Sequence, residues 1–370
     1  MHSVWGVLLI IGGVIAVAIV LDAAVRTFVV PRGTVVLFTV VIFRVTRRFF
    51  TFFASERRTY EQRDRVMAMY APIALLALPL TSMLVVFGAF TCIFAGLESH
   101  GWRSAIMTSG SSLLTLGFDR PPDLPSAFAA FTEAVIGLAL LALLIAYLPT
   151  IYNSFSKREI AVTDLAIRAG TPPTPEVLLR RAHITGFLTE LDGFWESWMA
   201  WFTEVQETHT SYGSLTFFRS PNPHRSWVTA AGAVLDTASI RLALIDIPRT
   251  PQAALCIRSG YLALREVAGF FGFDYDDSPA PTDPISVTRD EFDDLCRSLA
   301  AAGVPLVADK DQAWRDFCGW RVNYDRVLIT LAGFVMAPYG PWVSDRSPIE
   351  PLRLYKWGKR RIEITRRAQR

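Results

Sequence analysis

Three long apolar runs stand in the first 152 residues of the chain. Val4–Leu21 and Val66–Leu97 carry no charge, and Ala134–Tyr152 carries none after Glu133. A helix needs about 20 apolar residues to cross a bilayer core of roughly 30 Å. Each run therefore predicts a spanning helix, the first if it continues to Val30. No Lys or Arg precedes the first run, and no small-x-small cleavage site followed by polar sequence ends it. It reads as a retained helix rather than a signal peptide.

A fourth stretch, Thr34–Phe53, is apolar only as far as Phe43; Arg44, Arg47 and Arg48 then interrupt the phenylalanines. This pattern fits an interfacial helix with its basic residues towards anionic headgroups. A fourth crossing would put a basic segment outside. Asp22 and Arg26, four apart, share a face at the end of the first helix and can pair there.

Basic residues set the orientation. Arg32, Arg44, Arg47, Arg48, Arg57, Arg58, Arg63 and Arg65 lie between the first two runs, and Lys157 and Arg158 follow the third. The segment between the second and third runs holds only Arg103 and Arg120. The positive-inside rule then puts 31–65 and everything after 153 in the cytoplasm, and the N-terminus and the 98–126 loop outside. The chain is expected to be a multi-pass protein of the inner (cell) membrane.

Composition narrows the classes. Of 370 residues, 51% are hydrophobic and 19% charged, whereas soluble domains carry about a quarter charged residues. A disordered chain needs the opposite balance, and four cysteines in this length are too sparse for a disulfide scaffold. A net charge of +3 gives no argument for nucleic acid as a partner.

The loop between the second and third runs carries the chemistry. Trp102–Leu114 predicts a helix about 20 Å long, too short to cross but long enough to dip in and return. Thr115-Leu116-Gly117-Phe118-Asp119 follows, then Pro121-Pro122. An ion leaving water needs substitute oxygens, and rings of backbone carbonyls supply them. Unpaired backbone is tolerated at membrane depth only where it lines a watery path. Gly117 permits geometry that other residues resist, and Thr115 adds a hydroxyl. The C-terminal end of the short helix favours cations.

A helix, a re-entrant helix, Thr-x-Gly-Phe and a second helix together resemble the pore module of bacterial potassium channels with two helices around one pore loop. The resemblance covers about residues 66–156. That family's signature is Thr-Val-Gly-Tyr/Phe-Gly-Asp, and this chain lacks the second glycine. Asp119 either preserves the outermost carbonyl ring or replaces it with a ring of carboxylates. The resemblance implies potassium bound at Thr115, Leu116, Gly117 and Phe118 as the permeant ion, with no resident cofactor. It also points to Gly137 as a hinge, although a small residue there serves helix packing equally. Glu133 is either a brace for the filter or a helix-entry carboxylate. One loop cannot encircle an ion, so a homotetramer is expected.

The remainder, 157–345, predicts an all-helical cytoplasmic domain of six or seven helices, with Pro-rich breaks at 171–175, 221–223, 279–284 and 338–341. Thr174-Pro175 and Thr250-Pro251 are helix starts, and Thr288-Arg-Asp-Glu291 is a capping box. No dinucleotide, P-loop, zinc-protease or nucleophile-elbow motif is present. Phe194, Trp195, Trp198, Trp201 and Phe202 read as core rather than a ligand box. Asp274, Asp276, Asp277 and Asp283 read as a solvated loop rather than a calcium site. His209, Arg219 and His224 read as loop anchors more than an effector site. The basic tail, 346–370, either hugs anionic lipid or is solvated.

Taken together, the expected chain is an all-α membrane protein divided into 1–30 (spanning helix), 31–65 (amphipathic segment), 66–156 (pore module), 157–345 and 346–370. Its expected role is a tetrameric, potassium-conducting cation channel with a cytoplasmic domain for assembly or gating and an unidentified cytoplasmic ligand, and not an enzyme. The alternatives are a non-selective cation channel and a non-conducting sensor or scaffold.

Overall fold

The computed structural model describes residues 4–28, 37–54, 59–97 and 101–348. Among them the only β-type pairing is the isolated bridge Ile245–Leu306; everything else regular is helical. Three helical stretches are long and apolar enough to cross a membrane: Val4–Thr27, Tyr60–Leu97 and Leu124–Ala169. The chain divides into two compact units, Met1–Asn153 and Ser154–Arg370.

In the first unit, α1 (Val4–Phe28) packs along α4 (Tyr70–Leu97). Small residues allow the approach: a Cβ on Gly13 would lie 2.6 Å from the Ala89 carbonyl oxygen, and one on Gly96 2.5 Å from that of Gly6. Close backbone approach is how helices associate where lipid removes the hydrophobic drive between them. Arg26 Nε donates to Asp22 Oδ1 at 2.7 Å, the expected i,i+4 pair. Helix α2 (Leu37–Phe53) is 17 residues long and is not among the candidate spans. Helix α3 (Tyr60–Ala68) leads into α4 and is capped by Thr59, whose hydroxyl accepts from Gln62 N. The short α5 (Trp102–Leu113) and the first part of α6 (Leu124–Ala169) complete this unit. Val86, Ala89, Phe90, Ala105, Leu113, Ile136 and Leu140 form its core with the inward face of α1.

Helix α6 does not stop where its apolar run stops. It continues through Pro149 to Ala169, 46 residues in all, or about 69 Å. The apolar run marks where hydrophobicity ends; helix propensity carries on through Ser154–Ala169, which contains no Gly or Pro.

The second unit is built around α9 (Trp227–Ala243), every residue of which is buried. Helices α7 (Pro175–Ile184), α10 (Pro251–Phe270), α12 (Lys310–Arg321) and α13 (Asp325–Val335) pack against α9. Helix α8 (Asp192–Ser211) lies on α10, and α11 (Arg289–Ala301) on α7. Trp195, Trp198, Trp201 and Phe202 are buried in this core, and Phe194 packs against it. The starts of α7 and α11 follow the sequence signals: Thr174 Oγ1 accepts from Val177 N, and Thr288 and Glu291 form a reciprocal capping box. Pro251 begins α10, but the Thr250 side chain makes no capping bond.

Candidate functional site

The loop after α5 is organised by one buried residue, Ser111. Its carbonyl oxygen accepts from the amides of Leu116 (2.8 Å) and Gly117 (3.4 Å). Its hydroxyl accepts from the amides of Phe118 (3.1 Å) and Asp119 (3.2 Å). Four consecutive N–H groups thus point at the same side chain and its backbone.

That arrangement fixes the carbonyls. In a trans peptide the C=O points opposite to the N–H of the next residue. The oxygens of Thr115, Leu116, Gly117 and Phe118 therefore all point away from Ser111. No hydrogen bond reaches any of them among the described residues. Successive amides on one side require alternation between left- and right-handed backbone. Here Thr115 (φ 53°) and Gly117 (φ 68°) are left-handed, while Leu116 and Phe118 are not. Gly117 meets this demand without steric cost; Thr115 meets it against its β-branched preference. Asp119, which stands where a second glycine was sought, is not left-handed.

The polar face of α5 supplies the rest. Thr108 Oγ1 donates to Asp119 Oδ2 at 2.5 Å, which ties the carboxylate back to the helix. Ser109 Oγ lies 3.1 Å from the Phe87 carbonyl oxygen and 2.5 Å from Glu133 Oε1. Glu133, on α6, is fully buried, and its Oε2 has no partner among the described residues. Ser109 thereby links α4, α5 and α6 behind the loop. Thr115 Oγ1 donates locally to the Leu114 carbonyl oxygen at 2.8 Å.

Gly137 lies directly behind the end of α5. A Cβ there would come 2.6 Å from the Leu113 carbonyl oxygen and 2.9 Å from Leu113 Cδ1. That approach alone demands glycine. Gly137→Ala is expected to push α5 off α6 and lower the melting temperature of the detergent-solubilised protein, at a cost of about 1–3 kcal/mol for overpacking.

Thr115–Asp119, Glu133 and Gly137 are thus brought into one neighbourhood around α5. Ser111, Ser109 and Thr108 were not singled out from the sequence. The available signal was the run Thr108-Ser-Gly-Ser-Ser112, small and polar between apolar neighbours.

His209, Arg219, His224 and the Asp274–Asp283 loop all lie in the second unit. Buried His209 accepts at Nε2 from Arg158 Nη1 (3.2 Å), since arginine only donates. Burial, followed by the neighbouring guanidinium, holds its pKa well below the ordinary histidine value, so the ring is neutral. Arg219 caps α13 by donating to the carbonyls of Val335 and Met336, and His224 is exposed. Asp276 and Asp283 accept from nearby backbone amides, and no group of metal-ligating side chains occurs among the described residues. All four cysteines are free. The basic tail from 349 onward lies outside the described residues; Arg346, at its start, pairs with Glu291 and Asp345.

Compared with protein-family models, with curated proteins and with solved structures, the chain matches none.

Proposed function

We propose that the chain is a subunit of a homotetrameric cation channel, with 115–118 as the carbonyl filter and α5 as a re-entrant pore helix. The observation that carries this reading is the row of four outward carbonyls with no hydrogen-bond donor, lying between two helices long enough to span a bilayer. Backbone oxygens left without donors in a membrane protein are costly; a passing cation supplies what they lack. Leu114, Leu116 and Phe118 are 56%, 60% and 58% exposed on a single copy. Fourfold closure covers such apolar side chains and brings four carbonyl rows around one axis.

Potassium is the proposed permeant ion, on the Thr-Leu-Gly-Phe string. The bond from Thr108 to Asp119 favours an outer carbonyl ring over a ring of free carboxylates. The second unit, after 153, is proposed to be cytoplasmic and to serve assembly or gating, in keeping with the distribution of basic residues.

The test is a reversal potential. Purified protein in planar bilayers with potassium on one side and sodium on the other is expected to give a current reversing near the potassium equilibrium potential. Reversal near zero would indicate a non-selective pore. An assembled tetramer passing neither potassium nor rubidium would leave a sensor or scaffold as the surviving reading.

A further inference from the structure

The amphipathic helix α2 holds two arginines that the rest of the fold does not use. Its inner face is fixed to the start of α4. Ile42 and Phe50 are buried. The rings of Phe43 and Phe50 meet Tyr70 edge-on, with centroids at 6.4 and 6.2 Å. Tyr70 Oη donates to the Phe43 carbonyl oxygen at 3.4 Å. The outer face is bare: Leu37, Val41, Val45, Phe49 and Phe52 are 67%, 46%, 61%, 60% and 80% exposed. Arg44 and Arg48 are exposed on this same face, one turn apart.

Arg26, Arg158, Arg168, Arg289, Arg321 and Arg346 pair with carboxylates, and Arg219, Arg241 and Arg265 donate to backbone carbonyls. Arg44 and Arg48 have no ion pair or side-chain hydrogen bond among the described residues. Two guanidiniums a turn apart match the oxygens of one phosphate, which the arginine fork recognises better than a point charge does. Large apolar side chains on the same face do not remain in water. They fit the boundary between headgroup and acyl chain at the foot of a spanning helix.

We propose that the outer face of α2 binds an anionic phospholipid, with Arg44 and Arg48 holding its phosphate and Val41, Val45, Phe49 and Phe52 resting on its acyl chains. The bound lipid stays α2 against the start of α4. This inference needs only a membrane around α4 and does not depend on ion conduction.

The probe is native mass spectrometry of the full-length protein in detergent, with equal amounts of phosphatidylglycerol and phosphatidylcholine added. Wild type is expected to retain phosphatidylglycerol in preference. Arg44→Gln/Arg48→Gln is expected to lose that preference by about tenfold or more, as two basic residues near an anionic surface imply. Arg297→Gln, a surface control, is expected to behave as wild type. Phe52→Asp, which puts a carboxylate on the same face, is expected to weaken retention with both arginines intact. Equal retention of the two lipids by wild type would overturn the proposal, as would an unchanged preference in the double variant. So would self-association that Phe52→Asp abolishes without any lipid preference, which would assign the face to a second copy. A channel that conducts with no lipid preference would leave the pore reading standing and remove this one.

Discussion

Arg321→Met is expected to unfold the second unit at a temperature roughly 10 °C or more below wild type. Arg321, on α12, is fully buried, and its guanidinium is shared among three elements. Nη1 donates to Asp236 on α9, Nε to Asp325 Oδ1 at the start of α13 (2.7 Å), and Nη2 to the Trp342 carbonyl oxygen (2.6 Å). Asp236 also accepts from Tyr324 Oη (2.8 Å), and Asp325 from the amide and hydroxyl of Ser286. A buried ion pair adds little net stability while intact, because desolvation opposes the attraction. Removing one partner is different: two carboxylates are then left in a low-dielectric core with no countercharge. That costs about 3–5 kcal/mol, a large share of a total stability of about 5–15 kcal/mol. Arg321→Lys is expected to fail as well, since a single ammonium cannot span three acceptors set at the angles of a fork. Thermal unfolding of the detergent-solubilised protein checks both variants. A melting temperature within about 2 °C of wild type for Arg321→Met would show that the network does not hold α9, α12 and α13 together.

That network also marks where sequence reading ends. Asp236 and Arg321 are 85 positions apart, and nothing local to either announces the other. The full burial of α9 was likewise hidden. Its sequence mixes Thr, Ser, Asp and Arg with apolar residues and has no polar face, so periodicity assigns it no exposed side. The hydroxyls of Thr229, Thr237 and Ser239 bond to carbonyls one turn back, and Arg241 donates to the Pro248 carbonyl; Asp236 is satisfied by the distant Arg321 and Tyr324.

The long helices were legible for the opposite reason. Apolar runs in α1, α4 and α6 are a local property, and length against bilayer thickness decides them. The caps at Thr174 and Thr288 were legible because capping is decided within four residues. Thr250 had the same signal, yet its side chain makes no capping bond; Pro251 alone marks the start of α10. At the candidate site, the string Thr115–Asp119 was legible as a unit of unusual backbone. Of its two left-handed residues, Gly117 was legible as a glycine and Thr115 was not, because a β-branched residue gives no local sign of that geometry. Which side the carbonyls face depends on Ser111, and a serine in a short helix carries no mark of that role.

Ser111→Ala therefore gives the sharpest test of how the filter is held. The substitution removes the hydroxyl but keeps the backbone carbonyl. Leu116 and Gly117 keep their acceptor, while Phe118 and Asp119 lose theirs. A buried amide left unpaired costs about 1–3 kcal/mol. The peptide groups joining 117 to 118 and 118 to 119 can relieve that cost by rotating, which turns the oxygens of Gly117 and Phe118 out of the row. In the proposed tetramer all four copies lose the same two bonds, so the two outer carbonyl rings are disturbed together and the two inner ones are spared. The expected phenotype is split: the tetramer survives on size exclusion and still conducts, but the reversal potential in a potassium/sodium gradient moves towards zero. Ser111→Thr keeps a hydroxyl at the same position and is expected to keep the wild-type reversal potential. If Ser111→Ala conducts with undiminished potassium preference, the amides of 118 and 119 do not set the carbonyl row, and selectivity must arise from the inner rings alone. If Ser111→Thr loses selectivity as fully as Ser111→Ala, volume at position 111 matters more than its hydrogen bonds.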